Sequence, residues 1–381
     1  MTKIIYLTNA MHFNDFEKLM KYVDVMPNPS NQNFHYRFIT SLSEHYKVKV
    51  ISQRPINHRT SNLNAVLDEY HHNFFYPGFH LRPISRNFEL FRNSIQMMRS
   101  LKITREDYVF VDLLNLNLVQ LARYAKRRFK TRIIGILTDN PNNLSNAKKR
   151  YIENVEKSFS ICDGFVFLTE DLNTYANTNN LPYTIINGVI SYTKIKPEID
   201  EKFGKYIYFA GALYERYGVK NLIEAFLSSK SDLHLVIAGH GPLSSEITFL
   251  AESHPRIDFL GSVSPYRSLM YANAAYININ PRVFDENLDK YSIPSKVIEF
   301  ANTGKPVISC HHTLLKSVYK DSIYWTDDSI PALRQAIETV SNHYESYLQK
   351  ATLAKEIGEQ YYGKKEFSRK IDQLIKCHMT N

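Results

Sequence analysis

Short apolar strands alternate with helical stretches along most of the chain, and this alternation starts again after residue 190. The first series has strand-like segments such as "KIIYLTN", "KVKVIS", "YVFVD" and "DGFVFLT", and the second has "KYIYFAG", "LHLVIAG", "IDFLG", "YININP" and "KPVISC". Strands that alternate with helices favour parallel pairing through βαβ units. The pattern therefore predicts an α/β protein with two doubly wound, Rossmann-like parallel-sheet domains.

The segment "NGVISYTKIKPEIDEK" separates the two series. It predicts an N-terminal domain over residues 1–190 and a C-terminal domain over residues 191–363. The last helical stretch, "KKEFSRKIDQLIKC", has no strand after it. We expect this helix, within about residues 364–381, to pack back on the first domain.

The lengths of the apolar runs and the spacing of the cysteines indicate the cellular compartment of the protein. No run approaches the roughly 18 apolar residues of a membrane span, and the apolar part of "MTKIIYLTN" is short for a signal peptide. The three cysteines, Cys162, Cys310 and Cys377, are far apart in sequence, which fits a reducing compartment. We expect a cytoplasmic protein, with the inner membrane face as a candidate docking surface.

The net charge of +9 is concentrated in the first half of the chain. Residues 1–190 contain 24 basic and 16 acidic residues, against 23 and 22 in residues 191–381. The blocks "AKRRFK" and "AKKRY" carry much of this excess, including Lys126, Arg127 and Arg128. Such asymmetry favours an anionic partner of the first half, either a membrane surface or nucleic acid, although ordinary surface charge explains it equally well. No aromatic-basic platform typical of RNA binding is evident.

In open parallel sheets, ligands bind beyond the carboxyl ends of the strands. The second series carries "GALYERYG", "GHGP", "GSVSP" and "NPR" after its strands, followed by "SIPSK" at the start of a helix. "AGHGPLS" lacks the third glycine of a dinucleotide fingerprint, which argues against NAD. "CHH" at residues 310–312 would point successive side chains to opposite faces, which argues against a metal site. We expect no metal and no bound cofactor.

These segments, in this order, resemble the donor half of GT-B glycosyltransferases, and most closely the retaining family 4 (glycosyl transferases group 1). The resemblance is carried by "INGV", "YFAGALYERYGVKNLIEAF", "LVIAGHGP", "IDFLGSV", "NPR" and "PSKVIEFANTGKPVI". It implies that the two domains face a cleft and that the second domain binds a nucleoside-diphosphate sugar as co-substrate, for which a UDP-sugar is the first expectation. Glu299 matches the last glutamate of the family's paired-glutamate motif.

The resemblance assigns donor-side roles along the second domain. Ser295 and Lys296 begin the helix that faces the donor diphosphate in relatives, and Arg282 adds a guanidinium, which suits bidentate phosphate contact. In three places the chain departs from the family: Tyr291 stands where the motif has its first glutamate, Ala212 replaces an arginine, and Tyr217 replaces a lysine beside Arg216. The predicted donor-binding residues are Gly211, Ala212, Arg216, Gly239, Gly241, Val263, Arg282, Tyr291, Ser295, Lys296 and Glu299.

The first domain departs further from the family. The segment after its first strand, "TNAMHFNDFEKLMKYVDVMPNPSNQNFHYRF", contains no glycine, and we expect a helix to begin near Asn31 after an insertion that shapes an acceptor pocket. Asp139 and Asp112 end strands, and His35 lies on the helix; the alternatives are a helix cap for Asp139 and a packed histidine for His35. The predicted acceptor-side residues are Asn9, His35, Asp112 and Asp139, and the predicted catalytic residues are Asp139, Lys296 and Arg282.

The resemblance implies retaining, metal-independent transfer of a sugar to a saccharide acceptor. The basic first half favours an acceptor linked to a polyprenyl diphosphate, and therefore bacterial surface polysaccharide synthesis such as capsule or exopolysaccharide; teichoic acid and protein acceptors stay open. Two other hypotheses remain. One is a non-catalytic glycosyltransferase-like partner subunit, motivated by Tyr291, Ala212 and Tyr217, and the other is a nucleotide-sugar epimerase on the same fold.

Overall fold

The computed structural model describes residues 2–20, 29–55, 70–71, 73–78, 86–144, 147–190 and 201–377. The chain divides into two compact units by its internal contacts. The first unit consists of Met1–Val189, Lys290–Ile293 and Lys364–Asn381, and the second of Ile190–Asp289 and Pro294–Gly363.

Strands and helices alternate through both units. The strands are β1 (Lys3–Thr8), β2 (Lys47–Ser52), β3 (Tyr70–His71), β4 (Phe74–Phe75), β5 (Tyr108–Asp112), β6 (Arg132–Leu137), β7 (Gly164–Phe167), β8 (Tyr183–Ile185), β9 (Tyr206–Ala212), β10 (His234–His240), β11 (Ile257–Phe259), β12 (Ile277–Asn280), β13 (Val307–Cys310) and β14 (Tyr324–Thr326). The helices are α1 (Phe13–Met20), α2 (Pro29–Leu42), α3 (Arg86–Ser100), α4 (Leu116–Phe129), α5 (Lys149–Glu156), α6 (Glu170–Ala176), α7 (Val219–Ser228), α8 (Ser244–Ser253), α9 (Pro265–Ala274), α10 (Glu286–Asp289), α11 (Ser295–Ala301), α12 (Thr313–Tyr319), α13 (Ile330–Asn342), α14 (Tyr344–Tyr362) and α15 (Lys364–Cys377).

The first unit contains an eight-stranded sheet in the order β3-β4-β2-β1-β5-β6-β7-β8. All of its pairings are parallel except the short one between β3 and β4. The inner strands are largely apolar because helices cover both faces, and all five residues of β5, "YVFVD", are buried. The strand order reverses between β1 and β5, so the crevice beyond the ends of these two strands is the ligand position that the topology favours.

The last helix belongs to the core of the first unit. Phe367 and Ile371 of α15 are buried in the same hydrophobic core as Phe38 of α2. The rings of Phe38 and Phe367 meet edge to face with centroids 4.8 Å apart, and the hydroxyl group of Tyr46 donates a hydrogen bond to Asp372. Burial of one apolar face of α15 explains why a helix without a following strand is retained in this unit.

The second unit contains a six-stranded, wholly parallel sheet in the order β11-β10-β9-β12-β13-β14. Its strand order reverses between β9 and β12, which pair through Ile207 with Ile277 and Tyr208 with Asn278. The predicted fold class of two parallel-sheet Rossmann-like domains is thus confirmed.

Several elements differ from the sequence prediction. Helix α2 begins at Pro29, two residues before the expected start, and α1 lies within the glycine-free segment that precedes it. Residues 21–28 of that segment lie outside the described residues. The strands β3 and β4 have two residues each, too short for any periodicity to be visible in the sequence.

Candidate functional site

The candidate donor site lies at the carboxyl edge of the second sheet, where the strand order reverses. The segments that follow β9 and β12 meet there: the backbone N–H of Val283 donates to the carbonyl of Arg216 at 3.3 Å. A Cβ atom on Gly218, whose φ is +72°, would lie 1.8 Å from the carbonyl oxygen of Pro281. Only glycine allows this approach, and it fixes Arg216 and Arg282 on neighbouring loops.

A second close backbone approach joins β9 and β10. The φ of Gly239 is +156°, and a Cβ atom there would lie 1.9 Å from the carbonyl oxygen of Gly211. A Cβ atom on Gly241 would lie 2.5 Å from the carbonyl oxygen of Leu213. The predicted glycines therefore have a structural requirement of their own, independent of any ligand.

Three further predicted residues lie on the loops at this edge. Ala212 ends β9 with its side chain exposed, and Val263 is half-buried in the loop after β11. Arg216 is exposed, and its guanidinium lies over the rings of Tyr217 and Tyr214 at 5.2 and 5.7 Å. These rings hold the cation at the rim of the site without burying its charge.

Arg282, directly after β12, is more deeply placed. Its Nη2 donates to Oδ1 of Asp289 at 2.7 Å, and 10% and 9% of the two side chains are exposed. Its Nε is buried and has no hydrogen-bond acceptor among the described residues. A buried N–H without an acceptor is uncommon and costs about 1–3 kcal/mol, so its position calls for an explanation.

Lys296 and Glu299 form an ion pair on one face of α11. Lys296 Nζ lies 2.8 Å from Glu299 Oε2, and 24% of the lysine side chain is exposed against 3% of the glutamate. The two residues lie three positions apart in the helix, and the pair is more than a solvated surface interaction because the carboxylate is buried. Lys296 Nζ also donates to Ser268 Oγ of α9 at 3.3 Å.

Ser295 is the first residue of α11 and its side chain is exposed. No side chain caps this end of the helix, since the N-cap residue is Pro294. Its location at the carboxyl edge follows from the topology, because α11 lies in the crossover from β12 to β13.

Tyr291 does not group with these residues. It belongs to the segment Lys290–Ile293, which clusters with the first unit. Its half-buried side chain packs against the apolar core of that unit, with its ring 6.5 Å from that of Tyr175. Aromatic packing therefore explains a tyrosine at this position, where the family motif has a glutamate.

In the first unit, Asp112 at the end of β5 and His35 of α2 belong to a buried network beside β1. Asp112 accepts hydrogen bonds from Asn31 Nδ2 at 3.1 Å and from the backbone N–H of Leu114 at 3.0 Å. His35 Nε2 lies 3.5 Å from Asp112 Oδ2, and His35 Nδ1 lies 2.7 Å from the hydroxyl group of Tyr6. Both ring nitrogens of this fully buried histidine face protein groups, which agrees with the alternative of a packed histidine.

Burial and hydrogen bonding act in opposite directions on this network. Burial alone would raise the pKa of Asp112, but the nearby His35 and the hydrogen bonds from Asn31 and Leu114 together lower it below its ordinary value. Burial raises the pKa of Tyr6 well above its ordinary value, and the nearby charge of Asp112 adds to the shift. Asp112 is therefore ionised at neutral pH, and its two oxygens accept hydrogen bonds from within the protein.

The other two acceptor-side residues are more accessible. Asn9 follows β1 and is half-buried, and its Oδ1 has no hydrogen-bond partner among the described residues. Asp139 follows β6 and is also half-buried; its Oδ1 accepts from the backbone N–H of Asn140 at 2.8 Å. The cap of the following 3-10 turn is Asn140 rather than Asp139.

Sequence reasoning missed Ser268 and Asp289, which hold two of the predicted cations. Neither lies within a segment that carries the family resemblance. Asp289 lies seven residues after Arg282, and no periodicity links the two positions. The one available signal was composition, because "FDENLD" places three acids directly after a predicted phosphate-binding arginine.

The described part of the chain contains neither a cluster of metal-ligating side chains nor a membrane-spanning helix. Across these ranges, no group of three or more His, Cys, Asp or Glu side chains is arranged to hold a metal ion. In "CHH", Cys310 is buried in β13 and His312 caps α12. None of the described helices is both long and apolar enough to span a bilayer.

Comparisons with known proteins concern the family and the fold of the chain. The family model described as glycosyl transferases group 1 matches residues 204–343, which include the loops after β9, β10, β11 and β12 and all of α11. A search of curated proteins finds no match to the sequence.

Solved structures match over nearly the whole chain at low identity. A sucrose-phosphate synthase from Thermosynechococcus elongatus superposes with a TM-score of 0.69 and 12% identity, covering 99% of both chains. HepE from Anabaena in complex with UDP superposes with a TM-score of 0.64 and 12% identity, covering 99% of this chain and 100% of that chain. Another HepE structure contains UDP-glucose, with a TM-score of 0.63. The architecture is that of the GT-B fold, and residues 204–343 match the model of the glycosyl transferases group 1 family.

Proposed function

We propose that the protein transfers a sugar from a nucleoside-diphosphate sugar to a saccharide acceptor, with retention of the anomeric configuration and without a metal ion. A UDP-sugar is the first donor that we propose. The observation that carries the proposal is Arg282. Its Nε is buried at the switch point of the second sheet without an acceptor among the described residues. A phosphate oxygen would complete this hydrogen bond, and arginine suits such oxygens in charge and geometry.

The donor side then follows from the second unit. Arg282 and Lys296 neutralise the diphosphate, with Arg216 at the rim and the uncapped N–H groups of Ser295 and Lys296 beside them. Glu299 lies next to the lysine and contacts the ribose, as the family motif implies. The loops containing Gly211, Ala212, Gly239, Gly241 and Val263 border the nucleoside. The UDP and UDP-glucose bound by HepE support uridine as the first base to test.

In the reaction, the bond between the anomeric carbon and the phosphate oxygen breaks, and the acceptor oxygen bonds to that carbon. The leaving diphosphate gains negative charge, which Lys296 and Arg282 stabilise electrostatically. The acceptor proton goes to a phosphate oxygen of the leaving group on the same face of the sugar, as the resemblance to retaining enzymes of family 4 implies. Asp139 and Asn9 orient the acceptor, while Asp112 and His35 hold the strand ends behind them.

For the acceptor, we propose a saccharide linked to a polyprenyl diphosphate in bacterial surface polysaccharide synthesis, such as capsule or exopolysaccharide. The support is the positive charge of the first unit. Arg127 and Arg128 are exposed near the end of α4, whereas Lys126 pairs with Asp163 at 2.7 Å. A cytoplasmic enzyme that binds peripherally to the inner membrane face would meet such an acceptor there.

The experiment is a thermal-shift screen of UDP, GDP, dTDP and their sugars, on the wild type and on Lys296→Ala with Glu299→Ala. The two residues are changed together so that both charges of the ion pair are removed at once. A ligand that binds only the folded state at 100 times its Kd adds about 2.7 kcal/mol of stability. We expect one nucleotide to raise the Tm of the wild type and to lose most of that effect in the double variant.

The outcomes separate the hypotheses. A shift with no nucleotide would contradict the donor site and favour a non-catalytic partner subunit. A shift that the double variant retains would remove Lys296 and Glu299 from the site. Formation of a new nucleotide sugar without any acceptor would favour an epimerase on the same fold.

A further inference from the structure

A chain of buried polar groups lies behind the ammonium group of Lys296. The hydroxyl group of Tyr208 donates to Ser268 Oγ at 3.2 Å, and Lys296 Nζ donates to the same oxygen at 3.3 Å. On its other side, Lys296 Nζ lies 2.8 Å from Glu299 Oε2. The three elements β9, α9 and α11 therefore meet through the one hydroxyl of Ser268.

Packing makes this arrangement rigid. Tyr208 is fully buried and Ser268 is 6% exposed. The ring of Tyr208 lies 6.0 Å from that of Tyr271 on α9 and 6.2 Å from that of Phe300 on α11. Burial raises the pKa of Tyr208 above its ordinary value, so its hydroxyl group stays a donor.

A lysine ammonium has three N–H donors. Two of them are directed to Ser268 and Glu299, which are buried, while part of the lysine side chain is exposed. Because the donors are tetrahedral, fixing two of them fixes the direction of the third. Without Ser268, the ammonium could turn about the single contact with Glu299.

We infer that Ser268 is a positioning residue for the donor: it holds Lys296 so that the third N–H of the ammonium points at the donor diphosphate. The inference rests on the proposed function and adds to it a residue outside every segment that carries the family resemblance. The competing explanation is structural, namely that Ser268 only satisfies the buried hydroxyl group of Tyr208.

The test measures the affinity of UDP, or of whichever nucleoside diphosphate the screen selects, by ligand-detected NMR, which reaches millimolar Kd values. The variants are Ser268→Ala in the wild type and in the Lys296→Met background. Ser253→Ala is the matched control, because Ser253 is an exposed helical serine whose hydroxyl group bonds to Phe249 O. Losing one hydrogen bond that orients a charged group is expected to raise Kd about 3- to 10-fold.

The prediction is a weaker affinity for Ser268→Ala in the wild type, no further loss in the Lys296→Met background, and no change for Ser253→Ala. Ser268→Thr, which keeps the hydroxyl group, should recover most of the affinity. A lower Tm for Ser268→Ala with unchanged Kd, or an equal loss in both backgrounds, would overturn the inference and leave the proposed function intact. If Lys296→Met itself leaves Kd unchanged, the diphosphate role of Lys296 fails instead.

Discussion

Asp289→Asn is the sharpest test of the phosphate role of Arg282. In the wild type the guanidinium is nine-tenths buried and lies 2.7 Å from the carboxylate of Asp289. The substitution removes the negative charge but leaves an amide oxygen that can accept one hydrogen bond. Removing one partner of a buried ion pair lowers the free energy of unfolding by about 3–5 kcal/mol. Because the amide oxygen keeps one hydrogen bond, we expect this variant to lose about 3 kcal/mol.

That magnitude is measurable by thermal unfolding. The second unit has about 170 residues, for which 1 kcal/mol shifts Tm by about 2–4 °C, so we expect a loss of about 6–12 °C without ligand. With saturating UDP, the diphosphate supplies the missing negative charge to Arg282. The difference in Tm between the variant and the wild type should then fall to less than half.

Asp285→Asn is the matched control, with the same charge change four residues away, directly before α10. Asp285 is exposed, and its Oδ1 accepts from the N–H groups of Asn287 and Leu288 at 3.0 and 3.1 Å, which an asparagine preserves. It should therefore change Tm little with or without UDP. An Asp289→Asn loss of the same size in the presence and absence of UDP would refute the placement of the diphosphate at Arg282.

Two further predictions concern the first unit. Because the pKa of Asp112 is lowered in the folded state, its ionisation stabilises the protein fully above the ordinary pKa of about 4, and this stability is lost as the pH falls. In urea unfolding, the difference in the free energy of unfolding between the wild type and Asp112→Asn should therefore disappear below about pH 4. A difference that stays constant with pH would show that the charge contributes nothing. Arg127→Glu with Arg128→Glu should weaken binding to vesicles of phosphatidylcholine and phosphatidylglycerol by about 2 kcal/mol or more. The control variant, Lys230→Glu with Arg334→Glu, changes two exposed cations of the second unit and should bind the vesicles like the wild type. Unchanged binding of the Arg127 and Arg128 variant would show that α4 does not contact the membrane surface.

The fold was predictable because it depends on local patterns. Buried parallel strands such as β5 and β10 are largely apolar runs, and glycines or prolines occur in the loops after β9, β10, β11 and β12. The elements that escaped prediction carry no such signal: β3 and β4 are two residues long, and α1 begins inside a segment that we interpreted as an insertion. Position along the sequence located the loops of the candidate site but not the partners of their side chains.

Tyr291 shows why a motif departure cannot be interpreted from the sequence alone. At the sequence level, a tyrosine in place of a motif glutamate indicates a weakened donor site. In the structure, the segment Lys290–Ile293 belongs to the first unit, and the ring of Tyr291 packs against its core. The substitution therefore removes a carboxylate from a position that this chain uses for aromatic packing.

The contacts of Arg282 and Lys296 share one arrangement, which joins the two proposals. Each cation is held by a largely buried carboxylate, Asp289 or Glu299, so the local charge is close to neutral before a donor binds. A binding site of this kind keeps its cations fixed without the mutual repulsion of two unpaired charges. The cost is that a bound diphosphate adds negative charge near two carboxylates, which limits nucleotide affinity and favours release of the nucleoside diphosphate after transfer. On this reasoning, neutralising Asp289 destabilises the free protein and strengthens the binding of UDP, and both effects come from the same ion pair.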